Sequence, residues 1–464
     1  MASTAMIIVI FAIMFAVLFL GSPVKSALGF AAVCAVLIFM EPRFLAQFAN
    51  IAFSQGTNIN MLVAPIFVLM SELLSRGGIA EDLFTVLNRW TRRLKGGLAI
   101  ATTLACTIFA ALCGSAPATA ASVGRISINE MIKRDYDEAF AAGTVAGGGT
   151  LGIIIPPSIT FVVYGVLTET SIVKLFMAGL FPGILLALMF CVSIVLRVKM
   201  KPSLAGGGKG IGEAREIEEG KEGKEGKEGK AAALAGAGMG PYAPEPKTSA
   251  RTLLSVIPSF VLIIIVLGAM YTGLATPTEA AGFGAIGAFL IVFFLRRMNK
   301  RLVLECLEAT TKTGAMLIIL LICGFCLSFA VSFLGIASKS AEAIVASSVN
   351  PYIVLILLYI LWLILGCLMD PASMVILTMP FVFPPLTAMG FDPVWLGVVS
   401  TLCVAIGMIT PPVGLNLFIL KSNTSVSMLN LIRGSVPSVI VLIVGLGILT
   451  VFPDIVTFLP NALR

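Results

Sequence analysis

The chain has 464 residues, of which 58% are hydrophobic and 12% charged, with a formal net charge of +7. Soluble globular chains carry roughly a quarter charged residues, so a soluble fold is excluded and an all-α polytopic membrane protein is expected. Histidine is absent, which removes a Ser-His-Asp triad, a histidine-ligated metal and a histidine proton relay together.

The N-terminal run MASTAMIIVIFAIMFAVLFLG lacks a positive leading region and a small-x-small cleavage site. It therefore reads as a first helix rather than a signal peptide. Apolar runs of spanning length follow at 5–21, 26–41, 60–75, 139–166 and 177–197. Between the third and fourth, an apolar segment at 97–131 is split by CGSAPAT at 113–119. The second half has the same order: 253–273, 278–295, 313–336, a segment at 351–388 split by LMDPAS, then 394–420 and 434–455. Nine cysteines are scattered singly, and the Cys323–Cys326 pair sits mid-helix with no second pair, so it reads as core.

TLGIIIPPSITFVVYG from Thr150 and AIGMITPPVGLNLFIL from Ala405 repeat each other at an offset of 255. Gly152, Pro156, Pro157, Gly179 and Pro182 fall on Gly407, Pro411, Pro412, Gly434 and Pro437, and Ser115 falls on Asp370. A double proline removes two N–H donors and frees carbonyls of the preceding turn. In hydrocarbon such a break survives only in a protein interior or beside a polar cavity. Paired interruptions in two halves point to the binding site of a secondary transporter.

If each split segment is a re-entrant hairpin, each half crosses the membrane five times and the halves are inverted. The expected domains are a first repeat over 1–200, with its hairpin at 97–131 and broken helix at 139–166, and a second over 251–464, with its hairpin at 351–388 and broken helix at 394–420. Sixteen basic residues fall in the predicted inner loops against four in the outer ones, which places both termini outside. The segment 201–250, with GKEGKEGKEGK inside it, reads as a disordered cytoplasmic linker.

At the first split, Ser115 and Thr119 hydroxyls beside carbonyls freed near Gly152 form an oxygen cage suited to a hard monovalent cation. Small residues there also permit close helix packing in lipid. The second split brings Asp370 and Ser373 opposite Gly407, Thr410, Pro411, Pro412 and Asn416. An acid at membrane depth is a functional candidate, and Asp before Pro is also a helix cap. Thr276, Pro277 and Glu279 form a capping box, and Glu72 is placed to pair with Arg76 one turn on. Arg125 could hold a carboxylate bidentately or reach the headgroups. The substrate-facing candidates are Ser115, Thr119, Arg125, Pro156, Pro157, Pro411 and Pro412.

GSAPATAASVGRISINEM, the IPPS break followed by YGVLTETSI, ATPTEAAGFGAIGA, and GMITPPVGLNLF with the preceding Asp resemble the large membrane subunit of TRAP (tripartite ATP-independent periplasmic) transporters. The likeness runs from the first helix to about residue 450, interrupted by the linker. It implies a small four-helix membrane subunit and a periplasmic binding protein as partners. It also implies organic-acid substrates such as C4-dicarboxylates and sialic acids, a sodium gradient as driving force, and elevator movement in a bacterial inner membrane. Carried over by motif, Ser115, Thr119 and Gly152 belong to one sodium site, and Asp370, Ser373, Thr410 and Asn416 to the other, with Gly407 beside it. No cofactor is expected beyond the coupling ions. The competing readings are a stand-alone carboxylate carrier of related architecture, a membrane enzyme, for which no catalytic cluster is present, and a channel, for which no continuous polar stripe is present.

Overall fold

The computed structural model describes residues 2–206, 250–336, 339, 342 and 349–463. In the first half the chain forms α1 (Ala2–Phe19), α2 (Val24–Phe39), α3 (Leu45–Gly56), α4 (Val63–Arg76) and α5 (Ile79–Thr91). It continues as α6 (Gly97–Cys113), α7 (Ala116–Lys133), α8 (Glu138–Thr150), α9 (Ile159–Thr168) and α10 (Ile172–Met200). The second half begins with α11 (Ala250–Tyr271), α12 (Pro277–Phe294) and α13 (Lys300–Phe333). It closes with α14 (Pro351–Gly366), α15 (Pro371–Ala388), α16 (Pro393–Gly407), α17 (Leu415–Asn423), α18 (Met428–Val451) and α19 (Asp454–Ala462). Among the described residues there is no β-strand, only an isolated bridge between Tyr136 and Ala205, and the protein is an all-helical polytopic membrane protein.

Local signals set many of the helix boundaries. Thr276 and Glu279 form the capping box that opens α12, with proline at the first helical position. Asn299 accepts from the Leu302 amide at 2.8 Å to start α13, ahead of the apolar run at 313. The extra turns carry Arg301–Glu305 and Glu308–Lys312 pairs, 2.8 and 2.7 Å, one turn apart. The short helices α3, α5 and α19 have no counterpart among the apolar runs. Each is amphipathic and too short to span, so hydropathy alone passes over them. Of the linker expected over 201–250, residues 207–249 lie outside the described residues. Its first residues turn back on the body, where the Asp137 amide donates to the Leu204 carbonyl at 3.2 Å.

The helices pack in two groups. In one, α4 lies against α12 and α13, α13 against α2, α1 against α2, and α11 against α12. In the other, α8 lies against α18, α7 and α6, while α16 lies against α14 and α18. Helix α5 touches both, through α11 and α6. The α8–α18 seam is backbone on backbone. A Cβ on Gly143 would lie 1.8 Å from the Gly434 carbonyl oxygen, and one on Gly434 would lie 1.8 Å from that of Ala139. The Ser438 hydroxyl closes the seam by donating to the Gly143 carbonyl at 3.0 Å.

Helix α10 serves as a ruler for the hairpins, its 29 residues spanning about 44 Å at 1.5 Å per residue. Its end touches the turn before α6, since a Cβ on Gly96 would meet Val198 at 3.0 Å. Its start touches α16, since a Cβ on Gly397 would meet Leu175 at 2.6 Å. At that same end Tyr164 donates to the Pro393 carbonyl at 2.7 Å. The α6–α7 and α14–α15 hairpins therefore enter from opposite ends. They also cross-pair: α7 packs on α17 and α15 packs on α9, so each hairpin's return arm grips the broken helix of the other half.

Candidate ion and substrate site at the two helix breaks

At the first tip, Gly114 adopts φ +64, which only glycine tolerates cheaply, and reverses the chain between α6 and α7. Ser115 then caps α7 in extended conformation. Thr119, fully buried, donates to the Ser115 carbonyl at 2.9 Å. The break between α8 and α9 lies directly against this tip. A Cβ on Gly152 would stand 2.6 Å from the Ser115 carbonyl oxygen and 2.7 Å from Thr119 Oγ1. The Ile159 amide donates to the Gly114 carbonyl at 3.2 Å. Ser158 donates to the Ile153 carbonyl at 2.6 Å and caps α9, taking up part of the backbone that Pro156 and Pro157 leave free.

The second tip follows the same plan with different chemistry. Asp370 caps α15, its Oδ2 accepting from the Ser373 amide at 3.1 Å and its Oδ1 from the Ser373 hydroxyl. Asp370 is thus the helix cap that Asp-Pro foretells. Gly407 abuts this tip, with a Cβ there falling 2.4 Å from the Gly366 carbonyl carbon. The Gly414 amide donates to the Cys367 carbonyl at 3.1 Å. Gly152 and Gly407, and the amides of 159 and 414, are each 255 apart, whereas their tip partners, Ser115 and Gly114 against Gly366 and Cys367, stand 251 and 253 apart.

The two sites differ in exposure. Residues 151–158 are buried throughout, whereas Thr410 is half-buried and Pro411 and Pro412 are exposed. Thr410 donates to the Ile406 carbonyl at 2.6 Å. Asn416 is fully buried, its amide donates to the Met408 carbonyl at 3.1 Å, and neither its Oδ1 nor its Nδ2 has a partner. Burying a carboxamide without partners is costly, and this one lies beside the second helix break. The donors at the first pair are all neutral oxygens, and the second adds a carboxylate. Such sets suit hard cations, not transition metals. Among the described residues no cluster of three His, Cys, Asp or Glu side chains exists.

Arg125 stands elsewhere. It is exposed on α7, ten residues beyond Ser115 and so about 15 Å along the helix, within electrostatic reach of Glu81. Glu72 pairs with Arg76 at 2.8 Å, and Arg76 also holds Glu305 at 2.7 Å. Two contributors escaped the sequence reading. Ser158 was readable as a cap signal directly after the prolines, whereas Gly366 touches Gly407 across the fold and leaves no local signal.

Two hairpins whose tips meet two broken helices, built into an all-helical apolar body, define a membrane transport permease. The comparisons with known proteins agree. Residues 11–455 match the family of the tripartite ATP-independent periplasmic transporter, DctM component, and the chain belongs to it. It is 34% identical to the C4-dicarboxylate TRAP transporter large permease protein DctM of Pseudomonas aeruginosa, over 94% of each chain. It is 28% identical to the sialic acid TRAP transporter large permease protein SiaM of Vibrio cholerae, over 96% of each. The YdaH transporter of Alcanivorax borkumensis has a similar fold, with a TM-score of 0.57 at 14% identity, over 90% of this chain and 91% of that one.

Proposed function

We propose that this chain carries an organic acid across a bacterial inner membrane, driven by sodium, after a periplasmic binding protein has delivered it. A small four-helix membrane subunit completes the complex, and both termini face the periplasm. The substrate is a carboxylate of the C4-dicarboxylate or sialic-acid kind, the classes named for similar permeases. Sodium ions are cargo here, one at each tip–break pair: Ser115, Thr119 and Gly152 frame the first, and Asp370, Ser373, Gly407, Thr410 and Asn416 the second. The substrate lies between them, against the proline turns at Pro156, Pro157, Pro411 and Pro412. The group containing both hairpins, with halves 1–200 and 251–464 contributing equally, then moves past the α4, α12 and α13 group as an elevator.

The observation that carries this reading is the doubled tip–break contact, with the unpartnered Asn416 carboxamide in its second copy. The test is uptake into proteoliposomes containing this chain and its small subunit. Uptake of labelled carboxylate is expected only with both an inward sodium gradient and the binding protein. Sodium-driven uptake without the binding protein would establish a stand-alone carrier instead.

A further inference from the structure

We propose that the turn between α5 and α6, together with the end of α10, binds the phosphodiester headgroup of an anionic phospholipid. Arg89, Arg92, Arg93 and Lys95 stand within seven residues and are all exposed. None has an ion-pair partner among the described residues. By contrast, Arg76 holds Glu72 and Glu305, Arg297 holds Asp82, and Lys312 holds Glu308.

The turn has a fixed shape. Thr91 Oγ1 lies 3.0 Å from the Leu87 carbonyl oxygen and 2.8 Å from that of Gly97. Gly97 lies so close under Thr91 that a Cβ would come within 2.1 Å of the Thr91 carbonyl oxygen. Gly96, at φ +73, rests on Val198. One residue beyond that contact α10 presents Lys199, Met200 and Lys201, all exposed. Two segments thus converge into one patch with six cations, and neither Arg89–Lys95 nor Val198–Lys201 contains an acid.

Apolar groups stand between the cations. Trp90 is 66% exposed, Leu94 54% and Met200 84%, whereas Trp362 and Trp395 are buried. An exposed tryptophan among arginines is the arrangement that settles at headgroup level, ring in the apolar boundary and cations toward phosphate. A soluble polyanion would satisfy the charges and leave Trp90, Leu94 and Met200 in water, so the lipid is the occupant that fits both. The site is at the joint where α5, which also packs on α11, hands over to the α6–α7 hairpin. A bound lipid anchors that joint at the bilayer surface.

Trp90 supplies its own probe. The full chain is placed in phosphatidylcholine vesicles containing a minor fraction of either brominated phosphatidylglycerol or brominated phosphatidylcholine. Both leaflets have the same composition, so the result does not depend on the orientation of the protein. The Trp90 signal is the difference from a Trp90→Phe variant. The expected result is quenching by the phosphatidylglycerol at about one-fifth the mole fraction the phosphatidylcholine needs, the gain a single cation near an anionic surface gives. Arg89→Gln/Arg92→Gln/Arg93→Gln/Lys95→Gln should abolish that preference, and Lys199→Gln/Lys201→Gln should reduce it. Equal quenching of the wild type by the two lipids overturns the proposal and leaves the cations as topology signals only. A preference that survives in the variants overturns it as well. Should the fourfold variant fail to fold, the wild-type comparison and the Lys199/Lys201 variant still decide.

Discussion

Asn416 concentrates the argument at the level of single residues. An unsatisfied buried polar group costs about 1–3 kcal/mol, and here both polar atoms of the carboxamide are left without partners. If Oδ1 is a sodium ligand, Asn416→Leu should raise the sodium concentration needed for half-maximal uptake about tenfold or more, equivalent to at least about 1.4 kcal/mol. The same change should leave sodium-free thermal stability equal or higher, because it removes the orphan. Melting curves with and without sodium check both signs, and a large loss of stability in sodium-free buffer would make Asn416 structural. Residues whose partners are near in sequence were legible from sequence alone: Asp370 reads as a cap and is one, and Thr276 with Glu279 reads as a capping box and is one. Partners far along the chain were not. Nothing around Gly366 announces that Gly407 will rest on it, and nothing around Arg125 announces whether it faces the tip or the surface.

Among elements, the α8–α18 seam shows where the repeat misleads. Gly434 and Gly179 occupy equivalent positions at the 255 offset, which suggests equivalent work. Gly434 instead meets the backbone of α8, while Gly179 meets the Ile154 carbonyl and the Phe161 ring. The local signal was present in another form, small residues four apart at Gly143 and Gly147 facing Gly434 and Ser438, the spacing that brings helices together in membranes. Pattern matching between halves could not reveal it, because the seam joins elements that are not repeat mates. Backbone cannot retreat from a Cβ at 1.8 Å as a side-chain end can. Gly143→Leu or Gly434→Leu should therefore abolish the folded monodisperse protein in size-exclusion chromatography. Gly447→Leu, on the same helix α18 with nothing within 4 Å of its Cβ, should elute as the wild type does.

For the whole molecule, the cross-pairing of α7 with α17 and α9 with α15 means that each half packs its hairpin's return arm on a broken helix of the other. The covalent link between halves is a different matter, since residues 207–249 are dominated by Gly, Ala, Glu and Lys. Fragments 1–206 and 250–464, co-expressed, should copurify and restore uptake, while each alone should not. Affinity purification through a tag on one fragment, followed by transport assay, gives the answer. Inactive fragments that copurify would show that the linker does more than connect.

The same cross-pairing puts a clock on how the protein is made. Helix α9 is complete at Thr168, but α15, which it packs against, begins only at Pro371. Ribosomes add about 5–20 residues per second, so the first half waits on the order of 10–40 s for its cover. Throughout that interval the proline turn at 156–157, buried in the finished protein, has no second half over it. Newborn chains are therefore most open to membrane proteases in that window. Their survival depends on how fast the rest of the message is read, as well as on how stable the finished fold is.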